Sequence, residues 1–138
     1  MPSFGKKSRE ILDTVDPRIA EIMEMVVDHR DITVLSGFRD KDEQDDLFRR
    51  GLSKTQWPNS KHNVNAEGQM HGLAIAIDIA PYPIRWQDEN EFVYVAGLVM
   101  QTAFILGYKL RWGGNWDRDD DVIDDQTFQD LGHFELIL

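Results

Sequence analysis

The segment from Ala74 to Ala80, with the sequence AIAIDIA, alternates strictly between isoleucine and smaller or polar side chains. Successive side chains of a β-strand point to opposite faces, so the three isoleucines share one face and Asp78 shares the other with alanines. The isoleucine face has to be covered by other elements. Asp78 therefore emerges among small side chains, which leave space beside it for another group or an ion.

Three stretches carry helix signals, because each begins at an aspartate that can cap the free N–H groups of a first turn. We predict helices after Asp16, from Asp40 to Gly51, and from Asp88 to Gly107. Short β-favouring runs are found at 32–35, 74–80, 108–112 and 133–138. The interleaved order predicts an α+β fold with about three helices and a small, largely antiparallel sheet.

Length and composition exclude several classes of protein. The 138 residues fit a single domain, 1–138, and a net charge of −10 repels phosphate backbones, so we expect no nucleic-acid partner. No apolar run approaches the roughly 18 residues of a membrane span, and we expect no membrane insertion. Because the chain has no cysteine, any metal has to be held by His, Asp or Glu.

The triplet His133-Phe134-Glu135 places an imidazole and a carboxylate on one face of the last predicted strand. Residues 52–73 form a long aperiodic connection, which is typical of a functional loop. A histidine from this loop, with Asp78 and His133, would give three zinc ligands and leave Glu135 to accept a proton. By itself the triplet also fits a strand histidine paired with Glu135 and no metal.

Five motifs follow one another along the chain. They are Ser36-Gly37-Phe38-Arg39 with Gln44, Ser60-Lys61-His62-Asn63, Ala76-Ile77-Asp78-Ile79-Ala80-Pro81-Tyr82, Trp112-Gly113-Gly114-Asn115-Trp116 and Asp130-Leu131-Gly132-His133-Phe134-Glu135-Leu136. Their order resembles that of the zinc peptidases that cut peptidoglycan stem peptides, a family with D-alanyl-D-alanine carboxypeptidases and the L-alanyl-D-glutamate endopeptidases of phage endolysins. The resemblance spans nearly the whole chain and implies a hedgehog/D-Ala-D-Ala-peptidase-like fold.

Residue by residue, the resemblance implies that His62, Asp78 and His133 are the zinc ligands. It implies that Glu135 is the general base and that Arg39 steadies the substrate carbonyl or the oxyanion. A guanidinium suits that role, because it stays cationic and donates hydrogen bonds in a planar fork.

The first histidine has an alternative. His62 lies sixteen residues before Asp78, a longer spacing than is usual in the family, and the inserted segment 64–73 contains His71, seven residues before Asp78. We favour His62, because its Ser-Lys-His-Asn motif is intact and an insertion in a loop costs little free energy.

The resemblance also gives residues that would contact substrate or orient the ligands: Gln44, Ser60, Tyr82, Trp112 and Asn115. For Gln44 we favour a helix residue bonded to the backbone over a substrate contact, whereas Tyr82 and Trp112 fit equally well as core residues. Asn115 stands where the family more often has aspartate, and its amide oxygen can still accept an imidazole N–H.

Six aspartates crowd the segment from Asp117 to Asp125, and its start is similar to a calcium loop. The EF-hand pattern fails, because Val122 stands in place of glycine and Phe128 in place of the final glutamate. We interpret the segment as a solvated acidic loop, with weak Ca²⁺ binding as the alternative.

Taken together, the resemblance implies a monomeric zinc metallopeptidase, most simply an L-alanyl-D-glutamate endopeptidase acting as a phage endolysin. It would wait in the host cytoplasm without a signal peptide and reach the cell wall through a holin-type route. One alternative is a D,D- or L,D-carboxypeptidase, for which Arg111 or Lys61 would bind the terminal carboxylate. Another alternative is a zinc-bearing binding module that has lost catalysis.

Overall fold

A computed structural model describes residues 2–70, 72–114 and 130–138 of the chain. Within these residues the elements are α1 (Lys6–Leu12), α2 (Pro17–His29), β1 (Ile32–Ser36), α3 (Lys41–Arg49), β2 (Ala76–Pro81), α4 (Glu89–Leu106), β3 (Leu110–Gly113) and β4 (Asp130–Leu136). The predicted α+β fold is confirmed, and each of the four predicted strands corresponds to an observed one. Helix α1 is additional to the three expected helices. The sequence did not predict it, because the helix is short, buries only Ser8 and Leu12 and lacks a side-chain cap.

The predicted helix starts are correct. The side chains of Asp16, Asp40 and Asp88 accept hydrogen bonds from backbone N–H groups in the first turns of α2, α3 and α4. Gly107 ends α4 in the left-handed conformation at φ 82°, which glycine adopts without a steric penalty.

The four strands form one antiparallel sheet in the order β1-β2-β4-β3. Its register places Ser36 opposite Asp78, and Asp78 opposite His133. Directly opposed residues point to the same face, so three polar side chains stand in a row across β1, β2 and β4.

One face of the sheet is apolar and the other carries polar side chains. Ile75, Ile77 and Ile79 are buried in one hydrophobic cluster with residues of α2 and α4, as the alternation in the sequence predicted. The other face carries the row of polar side chains. None of the helices in the described part of the chain is long and apolar enough to cross a membrane.

Backbone hydrogen bonds join the long connection between α3 and β2 to the residue before β2 and to the segment after β1. The Ile75 N–H donates to the Val64 carbonyl at 3.1 Å, and the Arg39 N–H donates to the His62 carbonyl at 2.9 Å. The loop therefore brings His62 to the sheet face that carries Asp78.

Candidate metal centre

Three side chains converge on the polar face of the sheet. Asp78 Oδ1 lies 2.9 Å from His133 Nδ1, and Asp78 Oδ2 lies 3.3 Å from His62 Nε2. The two imidazoles approach each other at 3.3 Å between His62 Nε2 and His133 Nδ1. All three potential ligand atoms lie within 4.8 Å of one another, as a shared metal ion requires.

The orientation of His62 is fixed by a backbone carbonyl. Its Nδ1 lies 2.7 Å from the oxygen of Gly37, which can only accept a hydrogen bond, so Nδ1 carries the proton. The other ring nitrogen, Nε2, therefore faces Asp78 and His133. A histidine whose second nitrogen donates to a carbonyl is the usual arrangement at protein metal sites.

A buried polar network holds the backbone around His62. The Ser60 hydroxyl accepts from the His62 N–H at 3.1 Å, and the Asn63 side chain donates to the Arg39 carbonyl at 3.0 Å. Ser60 and Asn63 are both buried. The structure thus places Ser60 in contact with His62, where it supports the ligand loop.

Gln44 is completely buried, and its contacts lie within the protein. Its amide donates to the Ser53 hydroxyl at 2.9 Å and to the Thr55 carbonyl at 2.8 Å, and its oxygen accepts from Asn63 at 3.3 Å. Gln44 therefore fastens the start of the long loop to α3, as the helix interpretation of this residue anticipated.

His133 lies between two carboxylates. Its Nδ1 contacts Asp78, and its Nε2 lies 2.9 Å from Glu135 Oε1. Burial by itself would lower the pKa of His133, but the hydrogen bonds to Asp78 and Glu135 outweigh burial and raise the pKa to about 9. Burial likewise opposes ionisation of Asp78, yet the two imidazoles hold the pKa of Asp78 below its usual range.

Both oxygens of Glu135 are engaged. Oε1 accepts from His133 Nε2, and Oε2 accepts from the Arg111 guanidinium at 3.1 Å. The Nε2 edge of His133 is the edge that faces away from Asp78. These contacts favour a role for Glu135 in orienting His133, and its role as general base stays a prediction.

Asp130 is a further carboxylate close to Asp78, and the sequence pattern did not single it out. It begins β4 and lines two cavities that meet at the ligand cluster. Burial, and then the negative charge of Asp78, raise the pKa of Asp130. It lies three positions before His133, which on a regular strand means the opposite face, but the register shifts between Trp112 and Gly113 so that Asp130 pairs with Gly113.

Arg39 lies directly beside the ligands. Its guanidinium donates to Asp78 Oδ2 at 2.7 Å and to the Ser36 hydroxyl at 3.0 Å. It also lines both cavities next to Asp130. The positively charged guanidinium of Arg39 is therefore held at the position where the two cavities border each other.

Trp112 and Tyr82 differ in burial. Trp112 is buried, and its indole N–H donates to the Leu131 carbonyl at 2.9 Å, so it belongs to the core. Tyr82 is 55% exposed, so its interpretation as a core residue is wrong; it directly follows β2, and its backbone N–H donates to the Asp31 carbonyl. His71, Asn115 and the acidic segment Asp117–Asp125, with its calcium alternative, lie outside the described residues.

We expect Gly37→Ala to lower the free energy of unfolding by about 2 kcal/mol and to weaken metal binding. A Cβ atom at Gly37 would lie 2.3 Å from Thr14 Oγ1 and 2.9 Å from the Ile11 carbonyl, so the segment has to shift. That shift moves the carbonyl that orients His62. Denaturant unfolding and zinc titration measure the two effects.

Gly97→Ala is the matched control, because a Cβ atom there meets nothing within 4 Å on an exposed face of α4. It is expected to raise stability by up to about 1 kcal/mol through helix propensity. A Gly37→Ala variant as stable as Gly97→Ala would contradict the close packing at Gly37.

Several known proteins are similar to this chain in sequence or in fold. The sequence profile of the family described as phage L-alanyl-D-glutamate peptidase matches residues 2–137. The chain is 29% identical over 141 aligned positions to the L-alanyl-D-glutamate peptidase of Escherichia phage T5, covering 97% of each protein. It is 30% identical over 115 positions to the peptidoglycan L-alanyl-D-glutamate endopeptidase CwlK of Bacillus subtilis (strain 168), covering 78% of this chain and 61% of CwlK.

The fold is similar to that in the crystal structure of the Serratia marcescens L-Ala D-Glu endopeptidase ChiX. The TM-score is 0.71 at 22% sequence identity, and the match covers 99% of this chain and 91% of ChiX.

Proposed function

The chain belongs to the phage L-alanyl-D-glutamate peptidase family, and from that premise we propose that it is a zinc-dependent endopeptidase of peptidoglycan. The bond to be cut joins L-alanine to D-glutamate in the stem peptide, as the names of the relatives state for those proteins. The observation that carries the proposal is the convergence of His62, Asp78 and His133 at the meeting point of two cavities.

The donor set fits a zinc ion. Two imidazole nitrogens and one carboxylate oxygen are ligands that zinc prefers, and three protein ligands are typical of a catalytic site. Gly37 and Glu135 bind the outer nitrogens of His62 and His133, which leaves the inner nitrogens for a cation. When bound, zinc supplies Lewis-acid chemistry, polarising a carbonyl and lowering the pKa of water.

Asp130 has the properties of the proton carrier in this site. Its raised pKa gives it a higher affinity for a proton than an exposed aspartate has, and it lies in both cavities. We infer that Asp130 accepts a proton from the attacking water and delivers it to the departing amine of D-glutamate. Glu135, with both oxygens engaged, keeps His133 in place.

Arg39 contributes positive charge where negative charge develops on the carbonyl oxygen of the substrate. Its guanidinium already contacts Asp78 and Ser36, so its position is fixed before substrate binds. Fixed donors of this kind stabilise a transition state without a cost of reorganisation.

The relationship to the phage T5 protein supports a role in host lysis. We propose that the protein acts as a monomeric endolysin that reaches peptidoglycan after a holin-type protein has opened the inner membrane.

Mass spectrometry of digested muropeptides tests the proposed reaction. We expect fragments with a new amino terminus on D-glutamate, no release after chelation of metal, and restored release after addition of zinc. Loss of a terminal alanine alone would identify a carboxypeptidase. Zinc binding without any cleavage would identify a binding module.

A further inference from the structure

Two cavities of different chemical character meet at Arg39 and Asp130. The larger, of about 690 Å³, has apolar walls that include Leu35, Trp86 and Phe92. The smaller, of about 270 Å³, is lined by polar and cationic side chains from the loop and β3, among them Lys54, Lys61 and Arg111.

The charges of the two cavities differ in sign. Four cationic and two carboxylate side chains line the smaller cavity, whereas one cationic and four carboxylate side chains line the larger. This contrast is unexpected in a chain with a net charge of −10. A concentration of positive charge within an acidic protein favours an anionic ligand at that place.

The cationic cavity continues past the ligand cluster. A further cavity, of about 410 Å³, shares Lys61, Arg111 and Glu135 with it and extends to the C-terminal residues 137–138. The two spaces lie side by side along these shared residues, and together we call them the cationic groove. An open groove accommodates a peptide that continues beyond the cleaved bond, as an endopeptidase requires.

We propose that the cationic groove binds the D-glutamate side of the substrate, with Lys61 recognising the free α-carboxylate of that residue. This inference rests on the proposed function, since the two sides of an L-alanyl-D-glutamate bond differ in charge. The uncharged L-alanyl side then lies in the larger cavity, whose acidic side chains repel the carboxylate. Lys61 is exposed and borders both parts of the groove.

Arg111 is the less informative position for a test, because it donates to Glu135 and its loss would disturb His133 as well. Lys61 permits a cleaner substitution, because its side chain is exposed and its removal leaves the core intact.

The test uses two synthetic stem peptides that differ only at D-glutamate, one with the free α-carboxylate and one with the α-amide. We expect the unmodified protein to show a kcat/KM about tenfold higher for the carboxylate peptide, chiefly through a lower KM. Lys61→Gln is expected to reduce this ratio to about two, and Lys61→Arg is expected to restore it.

Lys7→Gln removes the same charge from the exposed face of α1 and is expected to retain the tenfold preference. Equal cleavage of both peptides by the unmodified protein, or an unchanged ratio in Lys61→Gln, overturns this inference and leaves the proposed function standing. Failure to cleave either peptide overturns both proposals.

Discussion

Substitution of His62 by alanine is expected to remove zinc from the site and to lower kcat/KM for stem peptides by at least about a thousandfold. His62 Nε2 is one of three ligand atoms within 4.8 Å of one another, and two ligands do not hold a catalytic zinc ion tightly. Zinc content of the purified variant and kinetics on a stem peptide give the two readouts.

Two other histidines provide the comparison for this variant. His29, at the end of α2, contacts Tyr94 and does not line either of the two cavities that border the ligands, so His29→Ala is expected to keep both zinc and activity. His71→Ala addresses the alternative ligand from the sequence. Loss of zinc in His71→Ala with retention in His62→Ala would reverse the ligand assignment.

The part of the site that lies on the sheet follows closely from the sequence. Strict alternation around Asp78 indicates a strand with one apolar face, and the same two-residue period places His133 and Glu135 together. The sequence does not reveal the register between β2 and β4, because it is set by the tertiary packing of whole strands. The pairing of Asp78 with His133 therefore had to come from the structure.

The contribution of the loop is harder to predict from local signals. His62 reaches the site through the Gly37 carbonyl, the Ser60 hydroxyl and the backbone of Arg39, all of them contacts outside regular secondary structure. Only the resemblance to a known family singled out His62, since neither periodicity nor composition distinguishes it within the loop.

Asp130 shows where a strand pattern stops being informative. Regular alternation assigns it to the face opposite His133, whereas Glu135 shares the face of His133 and is predicted as the general base from that spacing and from the family resemblance. The shifted register at Gly113 removes that regularity, and Asp130 then lines the same cavities as Arg39. Irregular strand ends of this kind commonly redirect side chains beside active sites.

We therefore expect different results when Asp130 and Glu135 are each replaced by the corresponding amide. Asp130→Asn is expected to lower kcat by about a thousandfold while zinc content and KM stay close to those of the unmodified protein, because the amide does not accept the proton. Glu135→Gln is expected to weaken zinc binding by about 10- to 100-fold, because His133 loses the anion at its Nε2 edge. Excess zinc should therefore recover most activity in Glu135→Gln and none in Asp130→Asn.

The decisive measurement is kcat for both variants as a function of zinc concentration, with zinc affinity determined separately by competition with a chelator. The assignment depends on contact geometry: both oxygens of Glu135 are committed to His133 and Arg111, whereas Asp130 lies in the space that substrate has to cross. The assignment would be reversed if Glu135→Gln bound zinc fully but lost kcat a thousandfold while Asp130→Asn stayed nearly normal. Glu135 would then be the proton carrier. Asp130 would then only shape the cavity, and its raised pKa would be a consequence of burial near Asp78 without a catalytic use.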